Sequence, residues 1–355
     1  RNARIEKGDR IAMVLPNCLE FLEIYWAAAK IGAVTVPLSP LLNARGLASL
    51  INHSGAAMVI ASGEHLRTIS AMRERLDLVR HFLCVSGERV SGFDDYENLV
   101  KSVSSDEPPD PRIRSVDPVM IIYSSGTTGD PKGIVLSHEV RAHYCTLYAL
   151  AWRMTPESVS MHAGSLVFNG AYMTLMPSFY LGGIFVLHKD FCPERILVDV
   201  RRQGVTHSIM VPSQIIALMN CSSFSAKAFE SIQALISIGA PFHLKHKQIL
   251  NRLMPGKLYE LYGLAEGFHT ILDRDDFARK TESVGVPPPL FEMRILDEQG
   301  NELPDGEVGE IAGRGPILMS GYHGRPDLTT RAIVQGWLRS GDLGYVDEEG
   351  YLYLV

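Results

Sequence analysis

Apolar residues in this chain come as short runs set between amphipathic stretches, and that alternation repeats from residue 10 onward. Ile11 to Leu15 reads as a strand. Asn17 stands where it could cap a helix whose apolar positions include Leu19, Leu22, Tyr25, Trp26 and Ala29, and Gly32 gives that helix its stop. Val34 to Val36, Ala57 to Ala61 and His81 to Val85 are further strands, with helices over Ala44 to His53 and Ile69 to Leu76. A polar, proline-rich connector, Asp106 to Pro111, leads to the strand Val119 to Tyr123. Beyond it the pattern predicts helices at Val140 to Trp152, Glu194 to Gln203, Ser213 to Met219 and Leu244 to Leu253. Strands are expected at Gly182 to Leu187, His207 to Val211 and Ala234 to Ile238. Strand–helix alternation of this kind predicts mainly parallel sheets covered by helices. After Glu282 the texture changes to glycine, proline and short apolar runs, which is hairpin patterning for a smaller β-rich part.

Composition narrows this picture little. The 355 residues exceed the size at which one core usually stops growing, so more than one subdomain is expected. A net charge of −6 without a long basic run excludes a nucleic-acid footprint. Five scattered cysteines without a C-x-x-C pair suit a reducing, cytoplasmic setting, and the polar opening from Arg1 to Arg10 is no signal peptide. Ser165 to His188 holds no charged residue, but Asn169, Gly170, Pro177 and Gly182-Gly183 break it, so no membrane span is expected.

The chemistry concentrates after the strand at Val119 to Tyr123. Ser124, Ser125, Gly126, Thr127, Thr128 and Gly129 are followed by Asp130-Pro131, then Lys132-Gly133, then a second apolar run. Uncovered backbone N–H groups, hydroxyls and one cation are what a polyphosphate needs. The segment is not a Walker A loop, because Lys132 leads into a strand-like run and the helix starts only near Ser137.

This stretch resembles the phosphate-loop signature of the adenylate-forming superfamily, which includes acyl-CoA synthetases, firefly luciferase and peptide-synthetase adenylation domains. Further blocks follow in order. Ser237-Ile238-Gly239-Ala240-Pro241 resembles the adenine-contacting segment, and Leu261-Tyr262-Gly263-Leu264-Ala265-Glu266-Gly267 resembles Y-G-x-T-E. Gly309 to Pro316 with Gly321-Tyr322, and Trp337 to Gly344, match the later blocks. The resemblance implies an α/β fold: the large N-terminal domain of these enzymes, with two helix-covered sheets and a β-rich subdomain. It divides the chain into a core over 1–281, its start truncated, and a part over 282–355 that completes the nucleotide site, with the small C-terminal lid domain missing.

It also implies roles. Lys132, Thr128 and Glu266 would be catalytic, with Glu266 and Thr128 holding Mg²⁺. Tyr262 would lie against adenine beside Gly239, Ala240 and Pro241, and Asp342 would accept from the ribose hydroxyls. Phe168, Asn169, Gly170, Ser237, Gly267 and Phe268 would line the acid pocket. Asn169 stands where amino-acid-adenylating relatives carry aspartate and many acyl-CoA synthetases histidine; a neutral residue there argues against a cationic amino acid. Ala265 departs from the family threonine, whose hydroxyl faces the α-phosphate. The implied activity is ATP-dependent ligation of a fatty or aromatic acid to CoA through acyl-AMP. The alternatives are delivery to a carrier protein and nucleotide binding without catalysis. ATP, Mg²⁺ and CoA are the implied small molecules. Oligomeric state stays open, with a homodimer among the options. His243 and His246, three apart, read as helix surface, and Asp273 to Asp276 as a solvated turn.

Overall fold

The computed structural model describes residues 5–63, 65–85, 87, 90–124 and 132–355. The chain divides into two compact units. The first takes residues 1–139, 165–168 and 319–326; the second takes 140–164, 169–318 and 327–355. The expected boundary at 281/282 therefore falls inside the second unit.

The first unit begins with β1 (Arg10–Val14), α1 (Leu19–Ile31), β2 (Val34–Pro37), α2 (Ala44–Ser54) and β3 (Ala56–Ala61). Then come α3 (His65–Met72), β4 (His81–Cys84), β5 (Asp94–Asp95), α4 (Tyr96–Ser102), β6 (Pro118–Ser124) and β7 (Lys132–Ser137). β1, fully apolar after Arg10, lies between β2 and β3, parallel to both. The sheet continues through β4 and β5 on one side and through β6 on the other, all parallel. β7 turns back antiparallel to β6. Leu47, Ile51, Leu66 and Ile69 from α2 and α3 pack with Val14, Val36 and Val59 in the core of this unit.

Three local expectations change. Asn17 does not cap α1; Cys18 occupies that position without a side-chain bond, and Asn17 Oδ1 instead accepts from the Leu166 amide at 2.9 Å. The buried face of α1 is Phe21, Leu22, Ile24, Tyr25 and Ala28, while Leu19 is 69% exposed. The helix before β4 starts at His65, earlier than Ile69, and finishes in a 3₁₀ turn over Arg73–Arg75. Gly32 does end α1, in the left-handed region at φ 71°.

The second unit opens within α5 (His138–Ala151), followed by β8 (Val159–His162), α6 (Tyr172–Leu181), β9 (Ile184–Leu187) and α7 (Pro193–Gln203). Next are β10 (His207–Met210), α8 (Pro212–Met219), β11 (Ala234–Ile238), α9 (Leu244–Leu253), β12 (Leu258–Leu264) and β13 (Phe268–Leu272). β9, β8, β10, β11 and β12 are parallel in that spatial order, and β13 folds back as a hairpin on β12. The break-up of the uncharged stretch is as the pattern predicts, since α6 is only ten residues long and ends at Gly182. Among the described residues no helix is long and apolar enough to cross a membrane.

β14 (Glu292–Leu296) and β15 (Gly309–Arg314) follow. Then come β16 (Gly321–Tyr322), α10 (Pro326–Ala332), β17 (Ile333–Val334), β18 (Trp337–Val346) and β19 (Leu352–Leu354). β14, β15, β18, β17 and β19 form an antiparallel sheet. β16 leaves that company and pairs antiparallel with β7, closing the edge of the first sheet. Two mainly parallel, helix-covered sheets and a smaller antiparallel one are the expected fold class. Asp273 and Asp275 are not merely solvated, because both accept from the Arg153 guanidinium.

Candidate active site

In the first unit, β6 delivers Tyr123 and Ser124 to the carboxyl edge of the sheet, where ligands of open α/β sheets bind. Ser124 pairs with Lys132 across β6 and β7, so the two ends of the phosphate loop are pinned together. Ser125 to Pro131, including Gly126, Thr127, Thr128 and Gly129, lie outside the described residues. The Lys132 ammonium sits 5.4 Å from the centre of the Tyr322 ring. Tyr123 Oη is 2.7 Å from His53 Nδ1, and burial raises its phenol above the ordinary range. A cleft of about 630 Å³ opens here, lined by Pro37, Leu42, Arg45, Tyr123, Ser124 and Phe168 among others. Phe168 is 59% exposed.

In the second unit, the parallel register pairs Ile238 with Leu261. Gly239 and Tyr262 therefore leave the pairing side by side, with Ala240 and Pro241 exposed beyond. Ser237, on the last turn of the pleat, is 3% exposed, and its hydroxyl has no hydrogen-bond partner among the described residues. A buried hydroxyl left in that state costs on the order of 1–3 kcal/mol unless something binds it. Gly263 lies opposite His269 in the hairpin. Ala265, Glu266 and Gly267 form its turn, closed by the Gly267 amide donating to the Leu264 carbonyl at 3.0 Å. Gly267 has φ +114°, and a Cβ there would stand 2.1 Å from the Ile317 carbonyl oxygen, so only glycine fits.

Tyr262 Oη donates to Asp342 Oδ2 at 2.8 Å, joining the hairpin strand to β18. Burial, with the Asp342 carboxylate second, holds the Tyr262 phenol well above its ordinary range. Asp342 is exposed and sits in a bulge. Between the pairs Glu310–Leu343 and Ala312–Arg339, β15 has one residue and β18 has three. Bulges of this kind re-aim a side chain out of the pleat.

The residues proposed for the acid divide. Asn169 is 7% exposed and fully engaged: its Oδ1 accepts from Arg141 Nη1 at 3.0 Å and its Nδ2 donates to Tyr144 Oη at 2.8 Å. The Arg141 guanidinium is itself buried, 4.1 Å from the Tyr172 ring centre and 4.8 Å from that of Tyr144. Gly170 lies against Ile238, whose Cδ1 would stand 2.3 Å from an added Cβ. Phe268 is wholly buried, its ring packed on the backbone of Gly313, a core position.

The polar chain continues inward. Tyr144 packs edge-on against Tyr148, and Tyr148 Oη hydrogen-bonds His269 Nδ1. Arg141, Tyr148 and His269 were not singled out from the sequence. The available signal was a charge at 141 on the face that α5 otherwise buries through Val140, Tyr144 and Tyr148.

A carboxylate such as that of Glu266 is the kind of oxygen ligand that a hard cation takes. His246 stacks on Phe242.

The family model for AMP-binding enzymes matches residues 1–323. The chain belongs to the AMP-binding enzyme family. It is 31% identical over 360 residues to a feruloyl-CoA synthase from Amycolatopsis sp, covering all of this chain and 70% of that protein. It is 28% identical over 374 residues to a crotonobetaine/carnitine–CoA ligase from Citrobacter koseri, covering 99% and 69%. Of solved structures, the N-terminal domain of FACL13 from Mycobacterium tuberculosis superposes with a TM-score of 0.91 at 27% identity, over 100% of this chain and 87% of that one. ATP-bound MatB from Rhodopseudomonas palustris gives 0.89 at 26%, over 99% and 69%. This AMP-binding enzyme is an AMP-forming acyl-CoA synthetase, an ATP-dependent acid–CoA ligase working through acyl-AMP.

Proposed function

We propose that this acyl-CoA synthetase activates an aliphatic or aromatic acid with the nucleotide held by Tyr262 and Asp342. The observation that supports this reading is the Tyr262–Asp342 hydrogen bond at the carboxyl edge of the sheet. It joins two residues expected at the nucleotide and leaves the Asp342 carboxylate with acceptor capacity for the ribose hydroxyls. Adenine would lie along Gly239, Ala240 and Pro241, and Lys132 would carry positive charge to the phosphates. Bound Mg²⁺, held by Glu266 and Thr128, would neutralise phosphate charge as pyrophosphate leaves.

The acid carboxylate attacks the α-phosphorus, and CoA thiol then displaces AMP from the acyl group. The protein's share is positioning and charge stabilisation. The unpartnered Ser237 hydroxyl is a donor ready for the acid or the acyl phosphate. Asn169 is neutral and already bonded on both sides, which suits an acid without an α-ammonium. A cytoplasmic setting goes with five free cysteines.

The test uses the full-length protein. Asp342→Asn should weaken ATP binding about tenfold or more by removing charge-assisted hydrogen bonds, with the unfolding midpoint unchanged. Equal ATP affinity in variant and parent would discard this assignment. A panel of carboxylic acids in pyrophosphate–ATP exchange, followed by CoA, identifies the acid and the thioester.

A further inference from the structure

Asp342 projects from a bulge, and a bulge has no ladder of its own to hold it. Three contacts do that work. Tyr262 takes one carboxylate oxygen. The Asp342 amide donates to Ser340 Oγ at 3.0 Å. The third comes from Glu310 on β15: its Oε1 accepts from the Gly341 amide at 3.1 Å. Gly341 lies in the left-handed region at φ +77°, so this amide points away from the regular strand direction. Glu310 Oε2 meanwhile accepts from the Arg339 guanidinium, from Nε at 2.8 Å and from Nη2. One carboxylate thus grips the residue that enters the bulge and the residue just before Asp342. Both side chains are about three-quarters covered, at 26% exposure for Arg339 and 24% for Glu310, so the grip is only partly screened by solvent.

We infer that Glu310, anchored by Arg339, is a positioning residue that sets the orientation of Asp342 toward the nucleotide sugar. It touches no ligand itself. Without it the Gly341 amide has no acceptor, and a glycine-containing bulge then samples orientations in which Asp342 no longer addresses two hydroxyls at once. This inference rests on the ribose role proposed for Asp342.

The experiment compares binding of ATP and of 2′,3′-dideoxy-ATP, which lacks both hydroxyls, to the full-length protein. Glu310→Ala should lower the preference for ATP over the dideoxy analogue about tenfold and leave the analogue's own affinity nearly unchanged. Glu310→Gln retains an acceptor for the Gly341 amide and should keep most of the preference. Arg339→Gln leaves the acceptor without its anchor and should lower the preference as Glu310→Ala does; it carries the test if the alanine variant does not fold. Asp342→Asn separates the two layers of the argument. If that variant keeps the full preference for ATP, the ribose assignment fails, and this inference with it. If it loses the preference while Glu310→Ala and Arg339→Gln keep it, the ribose assignment stands and the positioning role is overturned. A Glu310→Ala protein that loses both nucleotides equally would make Glu310 a mere support of the fold.

Discussion

Ala265 opens the three-residue turn of the β12–β13 hairpin and is half-buried. Its methyl offers no donor to a phosphate, in a turn whose shape is fixed by Gly267. Ala265→Thr in the full-length protein should raise the pyrophosphate-exchange rate about tenfold, the worth of one hydrogen bond to a charged group. A rate that stays level or falls, with folding intact, would mean that another donor already serves the α-phosphate. At this scale the sequence named Tyr262 and Asp342, which the structure joins by one hydrogen bond. It was silent on Arg141, because nothing in one chain tells a buried guanidinium from a solvated one. It misplaced Asn17 for a related reason. Its carboxamide has two uses, and the distant Leu166 amide competed successfully for it.

The hairpin as an element is tied to α5 through His269 and Tyr148. Burial pushes the His269 imidazole down from 6.5 to about 4. The folded value lies below the unfolded one, so the native state favours the neutral ring. That contribution is complete above about pH 6.5 and is lost as pH falls toward 4. It amounts to about 3 kcal/mol. His207, buried beneath Trp152, shifts in the same direction and adds to the same slope. Urea unfolding at pH 7.5 and pH 5 should therefore show a clear loss of stability at the lower pH. His269→Gln should have a smaller loss, from a lower starting stability. An unchanged acid slope in that variant would show that His269 is not held neutral. Strands and helices were mostly legible because burial imposes the 2- and 3.6-residue periods directly. α3 was placed too late and α4 was not found, since each spans only about two turns and carries few apolar residues.

For the whole molecule, alternation of strands and helices revealed the two sheets, and the change after Glu282 revealed the antiparallel part. What alternation does not carry is the return of residues 319–326 to the first unit. β16 is two residues long, too short for any period, and its partner β7 lies far back in the chain. A fragment ending at residue 281 lacks β16 and all of β14, β15, β18 and β19. It leaves β7 as an open edge and strips the covering from the second unit, whose core includes Tyr351. We expect such a fragment to aggregate on expression, and size-exclusion chromatography with circular dichroism checks this. A monodisperse, cooperatively folding fragment would support 281/282 as a domain boundary.

The pairing of β16 with β7 also bears on how the chain is made. A ribosome releases β7 with its outer edge bare, and the strand that covers it is synthesised only after β8 to β15 have emerged. At roughly 5–20 residues per second, that interval lasts on the order of ten seconds or more. Throughout it, the strand following the phosphate loop is a sticky, half-finished edge on the nascent polypeptide. The first half of the sequence can begin to fold early, but it is completed late, and a chaperone would find its substrate in that interval.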